Sequence, residues 1–270
     1  MHRLSRRMVV VRLVVAGWKL SLVDVWGRVS FTVWLCGCNL RCPFCHNWRI
    51  AEGASPPCRR VGVGEVLEAA GAASRLADYL HVTGGEPLLQ ARALRVLLRR
   101  SPLPVSLDSN LTMPGRLRLL EGCVDHVATD LKAPWGLLTG GAPAGLWRAW
   151  LESLRVAASW GAVVELRIPV PRGVPGYLEA VAEALDQAAA ALDATDWYVV
   201  VNPLQGPPYT DPRDREWCSR HCDPPDTLLE RVAEEARRHG VRVYVRRGGG
   251  RRADNKTVLE GRTTGASLYG

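Results

Sequence analysis

Two kinds of segment alternate along the chain, and this alternation limits what it can fold into. Short apolar runs recur at 30–36 (SFTVWLC), 80–84 (LHVTG), 104–109 (PVSLDS), 124–132 (VDHVATDLK), 163–170 (VVELRIPV) and 196–204 (DWYVVVNPL). Stretches with helical periodicity lie between them at 65–79, 88–100, 113–121, 145–160 and 177–192. A further helix at 226–240, stopped by Gly240, precedes another strand at 241–246. Short apolar runs bounded by turns read as buried strands, and apolar residues at i, i+3 and i+4 read as amphipathic helices. Strand–helix–strand units with short connections are right-handed and build parallel sheets. The pattern therefore predicts an α/β fold, a partial (β/α)6 TIM-like barrel of parallel strands with helices outside. Sites in such barrels gather at the C-terminal ends of the strands, so chemically unusual residues that follow strands become the candidates.

Residues 1–27 read as an N-terminal extension, 28–246 as one core domain, and the Gly-rich polar residues 247–270 as a flexible tail. The basic, then apolar, start resembles a signal peptide. However, Arg12 interrupts the apolar run, no small-residue cleavage site follows, and Met8 is an alternative start. No apolar run reaches the roughly 18 residues of a membrane span, so no membrane partner and a cytoplasmic location are expected. The net charge of +8 comes from 32 Arg and three Lys. The arginines are scattered, which suits a solvated surface, and a nucleic-acid partner is not expected. In a chain that uses Arg so consistently, a lysine in an apolar context stands out as a choice made for chemistry.

Eight cysteines in 270 residues are too few for a disulfide scaffold, yet four fall within 36–45. Cys38, Cys42 and Cys45 sit in a loop just after a strand, spaced to wrap one face of a [4Fe–4S] cluster. Such a cluster normally takes four cysteines, so three imply one iron left open to a ligand. Gly37 and Asn39 let the loop curl and aim N–H groups at sulfur. The competing reading is zinc, with Cys42 and Cys45 as one knuckle and Cys218 and Cys222 as the other, and His46 or His221 as further ligands. That reading leaves Cys38 unexplained. Cys218 and Cys222 are otherwise free thiols, a disulfide or a loose clamp; Cys36, Cys58 and Cys123 read as simple thiols. In TGGEP, two glycines at a strand end allow close backbone approach to a ligand, and Glu86 offers an acceptor for an ammonium group. His81 and His126 read as satisfied core histidines.

CNLRCPFC and HVTGGEPLLQ together resemble the CxxxCxxC and GGE motifs of the radical S-adenosylmethionine superfamily. SLDSN (106–110) and VATDLKAP (127–134) are similar to segments of glycyl-radical-enzyme activases. With the CHN after the triad, they most resemble archaeal activating proteins of anaerobic ribonucleoside-triphosphate reductase. The resemblance spans roughly 28–204 and implies the following. Cys38, Cys42 and Cys45 hold a [4Fe–4S] cluster whose fourth iron binds S-adenosylmethionine. Gly84, Gly85 and Glu86 hold its amino group. Asp108, Ser109, Asn110, Asp130 and the carbonyl of Ala128 surround the methionine end, around a monovalent cation. Lys132 meets the cofactor carboxylate or the substrate peptide, while Asn202 and Gln205 face the adenosine. Reductive cleavage, driven by a ferredoxin or flavodoxin, gives a 5′-deoxyadenosyl radical that takes hydrogen from a glycine of the partner enzyme. The sequence departs from the pattern by lacking a histidine near the last barrel strand. Deazaguanine-forming synthases, which act on a small molecule, carry similar GCNL and TGGEPLLQ segments and form the alternative.

Overall fold

The computed structural model describes residues 10–53 and 57–247. One nine-stranded sheet runs through it in the order β3-β1-β2-β4-β5-β6-β7-β8-β9. The strands are β1 (Arg12–Ser21), β2 (Ser30–Leu35), β3 (Arg59–Gly62), β4 (Tyr79–Gly84), β5 (Val105–Asp108), β6 (His126–Asp130), β7 (Val163–Val170), β8 (Trp197–Pro203) and β9 (Arg242–Val245). From β2 through β4 to β9 every pairing is parallel, as the alternation predicts. The helices are α1 (Trp48–Ala51), α2 (Val63–Ala73), α3 (Ala91–Leu98), α4 (Pro114–Leu117), α5 (Trp135–Thr139), α6 (Gly145–Ser159), α7 (Tyr177–Leu192), α8 (Arg215–His221) and α9 (Asp226–Arg237). The result is the expected partial barrel of parallel strands.

Residues 12–21, within the expected N-terminal extension, form β1. It lies antiparallel to β2 and to β3 and buries Leu13 and Val15 in the core. Such a strand is defined by partners later in the chain, which its own mixed pattern does not reveal. Of the expected tail, residues 248–270 lie outside the described residues.

Strand alternation sorts the barrel into two environments. Leu80, Val82, Val105, Leu107, Val127, Val164, Leu166, Val199 and Val201 join the core cluster packed with the helices. The alternate positions carry His81, Thr83, Ser106, Asp108, His126, Asp130, Glu165, Arg167, Tyr198 and Asn202. The interior is therefore polar, where a purely structural parallel barrel fills with branched apolar side chains.

Cysteine pairing also differs from expectation. Cys36 and Cys58, expected as separate thiols, form a disulfide, while Cys218 and Cys222 form the disulfide that was one of their expected states. Cys38, Cys42, Cys45 and Cys123 remain free. The pairing of Cys36 with Cys58 depends on where β3 returns to the sheet, which sequence spacing does not show.

Candidate functional site

A cavity of about 480 Å³ opens at the C-terminal ends of the strands, lined by Cys38, Cys42, Cys45, Gly84, Gly85, Asp108, Ser109, Asn110, Asp130, Lys132 and Asn202. Of the residues that the resemblance assigns to the site, all but Glu86 and Ala128 thus meet at one place.

The cysteine loop and the GGE turn are joined backbone to backbone. Gly85 N–H donates to Leu35 O at 2.7 Å and Glu86 N–H to Gly37 O at 2.6 Å. A Cβ on Gly84 would lie 2.3 Å from Leu35 O, and one on Gly85 would lie 2.0 Å from Gly37 O. Gly84 also has φ +119°, a region that disfavours side chains. The glycines are needed here because the strand end lies directly against the loop.

Around the sulfurs, Leu40 N–H approaches Cys38 Sγ at 3.4 Å and the Asn110 amide at 3.8 Å. Asn110 also donates to Asn39 Oδ1 at 2.8 Å. From the other side, Arg213 N–H donates to Cys45 O and Asp214 N–H to Pro43 O. Burial raises the pKa of Cys38 and Cys45 and pushes Cys42 up to about 12. Such surroundings favour protonated thiols, and metal binding has to displace those protons.

Glu86 departs from its expected role. It is fully buried and does not line the cavity. Its carboxylate accepts from Leu88 N–H at 2.8 Å, Ser109 Oγ at 2.8 Å and Asn110 N–H at 2.7 Å. Burial pushes its pKa up to about 7, against the pull of those donors. Glu86 ties the GGE turn to the segment after β5, and the carboxylates that face the cavity are Asp24, Asp108 and Asp130.

The groups expected around a monovalent cation each have partners within the protein. Asp130 pairs with Lys132 Nζ at 2.8 Å, and Asp108 accepts from Thr83 Oγ1 at 3.0 Å and Arg167 at 2.9 Å. Ala128 O accepts from Ser109 N–H, and Ser109 Oγ serves Glu86. Burial opposes the charge on both Asp130 and Lys132. Each nevertheless favours the charged form, because each faces the other.

Arg167 has a central role that the sequence reading did not assign. It donates to Glu165 at 2.5 Å, to Asp108 at 2.9 Å and to the carbonyl of Asp24. The available signal was its alternation with Glu165 along a strand whose other face is apolar. Asp24, on the β1–β2 connection, accepts from Thr32 at 2.7 Å and brings that connection to the cavity wall.

A chain of hydrogen bonds crosses the floor. Tyr198 OH donates to Glu165 at 2.6 Å, so it accepts from His126 Nε2 at 3.1 Å. Burial pushes His126 down to about 4, so the ring is neutral and its Nδ1 accepts from Ser106 Oγ at 2.8 Å. Ser106 then accepts from His81 Nδ1 at 2.8 Å. His81, also held neutral by burial, keeps a bare Nε2, which has no partner and lies 4.0 Å from Asp108. His126 is thus a satisfied core histidine, as expected, while His81 is satisfied at one nitrogen only.

The zinc alternative required Cys218 and Cys222 as ligands, and these are joined to each other. Among the described residues, no three His, Cys, Asp or Glu stand close enough to hold a single metal ion. Three free thiols lining one cavity are instead the kind of donor set that a multi-iron cluster takes. Asn202 Oδ1, buried in the lining without a partner, leaves an acceptor for a further ligand.

Fold and site together define an open parallel barrel that presents three cysteines beside a glycine-lined strand end. The sequence profile of the Radical SAM superfamily matches residues 32–211, and the chain belongs to that superfamily. The family implies a [4Fe–4S] cluster and S-adenosylmethionine. A candidate glycyl-radical-enzyme activating enzyme of Methanocaldococcus jannaschii is 32% identical over 118 residues, 42% of this chain and 47% of that protein. A 7-carboxy-7-deazaguanine synthase of Hyperthermus butylicus is 38% identical over 102 residues, 34% of this chain and 39% of that protein. The chain thus spans less than half the length of these relatives. Among solved structures, a radical SAM methyltransferase from Sphaerobacter thermophilus shares the fold. Its TM-score is 0.57 at 19% identity, covering 84% of this chain and 68% of that one. No helix among the described residues is long and apolar enough to cross a membrane.

Proposed function

We propose that the protein is a radical S-adenosylmethionine enzyme of the glycyl-radical-enzyme activating type, abstracting hydrogen from a glycine of a partner. The observation that carries this reading is that the DSN and DLK segments both face the cavity holding the three cysteines. In this reading Cys38, Cys42 and Cys45 hold the cluster, and Gly84 and Gly85 let the methionine end approach the backbone. Asp108 and Asp130 favour its ammonium group, Lys132 faces its carboxylate, and Asn202 accepts from the adenosine. The bound cluster and S-adenosylmethionine supply a carbon radical able to take a hydrogen atom. The protein's own contribution is positioning and the exclusion of water. Leu22 and Val23 are 75% and 63% exposed, and Val23 lines the cavity, so apolar surface is available to a polypeptide at the opening. A glycyl radical enzyme, of the anaerobic ribonucleoside-triphosphate reductase kind, and a ferredoxin or flavodoxin are the proposed partners.

The deazaguanine-synthase likeness supports a second reading, an enzyme acting on a small molecule. Arg246 favours it: this half-buried cation lines the cavity, and its Nε has no partner, which suits an anionic substrate. The test is electron paramagnetic resonance on reduced, reconstituted protein with S-adenosylmethionine and a glycyl radical enzyme encoded in the same genome. The activating reading predicts a glycine-centred doublet. It is lost if no doublet forms while a small anionic substrate drives release of 5′-deoxyadenosine.

A further inference from the structure

The three cysteines assigned to the cluster lie inside one covalent ring. The Cys36–Cys58 disulfide closes residues 36–58, a span that contains Cys38, Cys42 and Cys45. Neither half-cystine lines the cavity, and both are buried, Cys36 at 5% and Cys58 at 9% exposure.

Both ends of the ring are anchored to the same part of the sheet. Cys36 follows β2, and its N–H donates to Val14 O of β1 at 3.0 Å. Cys58 precedes β3, whose Arg59 lies opposite Val15 of β1. Within the ring, Gly37 N–H donates to Ile50 O at 3.0 Å, drawing the loop's departure and return together. The 211–222 segment then bonds the Pro43 and Cys45 carbonyls from outside, and its own Cys218–Cys222 disulfide packs behind it.

We infer that Cys36–Cys58 is a clasp that keeps the ligand loop closed before iron arrives, so that the metal meets three thiols already gathered. Cys36 and Cys58 act here as positioning residues, and the inference rests on Cys38, Cys42 and Cys45 being the ligands. The physical argument is loop closure. An open loop of this length must be ordered at the moment of metal binding. A cross-link removes most of the open arrangements beforehand.

The test compares the full chain with a Cys36→Ala/Cys58→Ala variant, both loaded anaerobically with iron and sulfide. The readouts are iron per chain and the rate at which a ferrous chelator strips it. Both are measured at a temperature where circular dichroism shows both proteins folded. The clasp predicts iron loss at least about tenfold faster in the variant. Cys123→Ala, which removes a buried free cysteine outside the ring, should match the wild type. Equal stripping rates in wild type and double variant overturn the clasp, as does equal acceleration by Cys123→Ala. A disulfide serving only global stability would lower the melting temperature and leave the stripping rate unchanged, which also overturns the inference. If the double variant does not fold, a non-reducing peptide map of the anaerobically purified, iron-loaded protein decides. A 36–58 cross-link is expected, and free thiols at both positions with a full iron complement overturn the inference. Failure of the ligand assignment looks different: Cys38→Ala would then load and hold iron like the wild type.

Discussion

The two walls of the cavity are built by different means. On the cysteine side, backbone meets backbone, and Gly84 and Gly85 leave no room for a Cβ against Leu35 and Gly37. On the β7 side, side chains meet side chains, and Arg167 holds Glu165, Asp108 and the Asp24 carbonyl at once. The first wall is short in sequence and is spelled by residue types that only its geometry requires. The second joins residues from three distant parts of the chain, and no short motif encodes it. A motif therefore reveals where a group is held, while the surface that shapes its surroundings has to be found from the fold.

The largest expected effect is on the side-chain wall. Arg167→Met leaves the buried Glu165 and the partly exposed Asp108 without their cation. It should cost about 3–5 kcal/mol in chemical or thermal unfolding. A loss below about 1 kcal/mol would mean that Arg167 does not hold this wall. The next effect is on the backbone wall. Gly85→Ala puts a methyl group 2.0 Å from Gly37 O and should cost about 3 kcal/mol, with preferential loss of bound iron. Gly64→Ala, where a Cβ meets nothing within 4 Å, should leave iron content unchanged. If both variants keep iron equally well, the two motifs are not mechanically joined.

A smaller effect is expected on the floor. Ser106→Ala breaks the chain between His81 and His126 and should cost about 1–3 kcal/mol, because both ring Nδ1 atoms lose a partner. The smallest effect is a pH dependence that is almost hidden in the wild type. His126, depressed to about 4, contributes stability present above the ordinary histidine range and lost as pH falls toward 4. Glu86, raised to about 7, contributes stability present below its ordinary value of 4.5 and lost as pH rises toward 7. Between about pH 4.5 and 6.5 the two oppose each other. His81, also held neutral by burial, acts in the same direction as His126, so His126→Gln should make the melting temperature climb less, or fall more, than that of the wild type as pH rises through this window. A variant profile parallel to that of the wild type would contradict the assignment.

The same contrast explains what the sequence made legible. The parallel strands and most of the helices longer than two turns announce themselves through local periodicity. Cys38, Cys42, Cys45, Gly84 and Gly85 stand in one place because their spacing encodes it. Glu86 reads as a ligand from its motif, yet its environment makes it a brace, since three protein donors reach it first. The Cys36–Cys58 disulfide, β1 and the grip of Arg167 depend on contacts between distant segments, which neither composition nor periodicity carries.

The central claim is that hydrogen moves from a glycine of a partner enzyme. It is tested most directly by supplying a glycyl radical enzyme labelled with deuterium at its glycine α-carbons, together with the reduced, cluster-loaded protein and S-adenosylmethionine. The account predicts deuterium in the released 5′-deoxyadenosine and a glycine-centred radical in the partner. Unlabelled 5′-deoxyadenosine, with label transfer seen only from an added small anionic substrate, would contradict it.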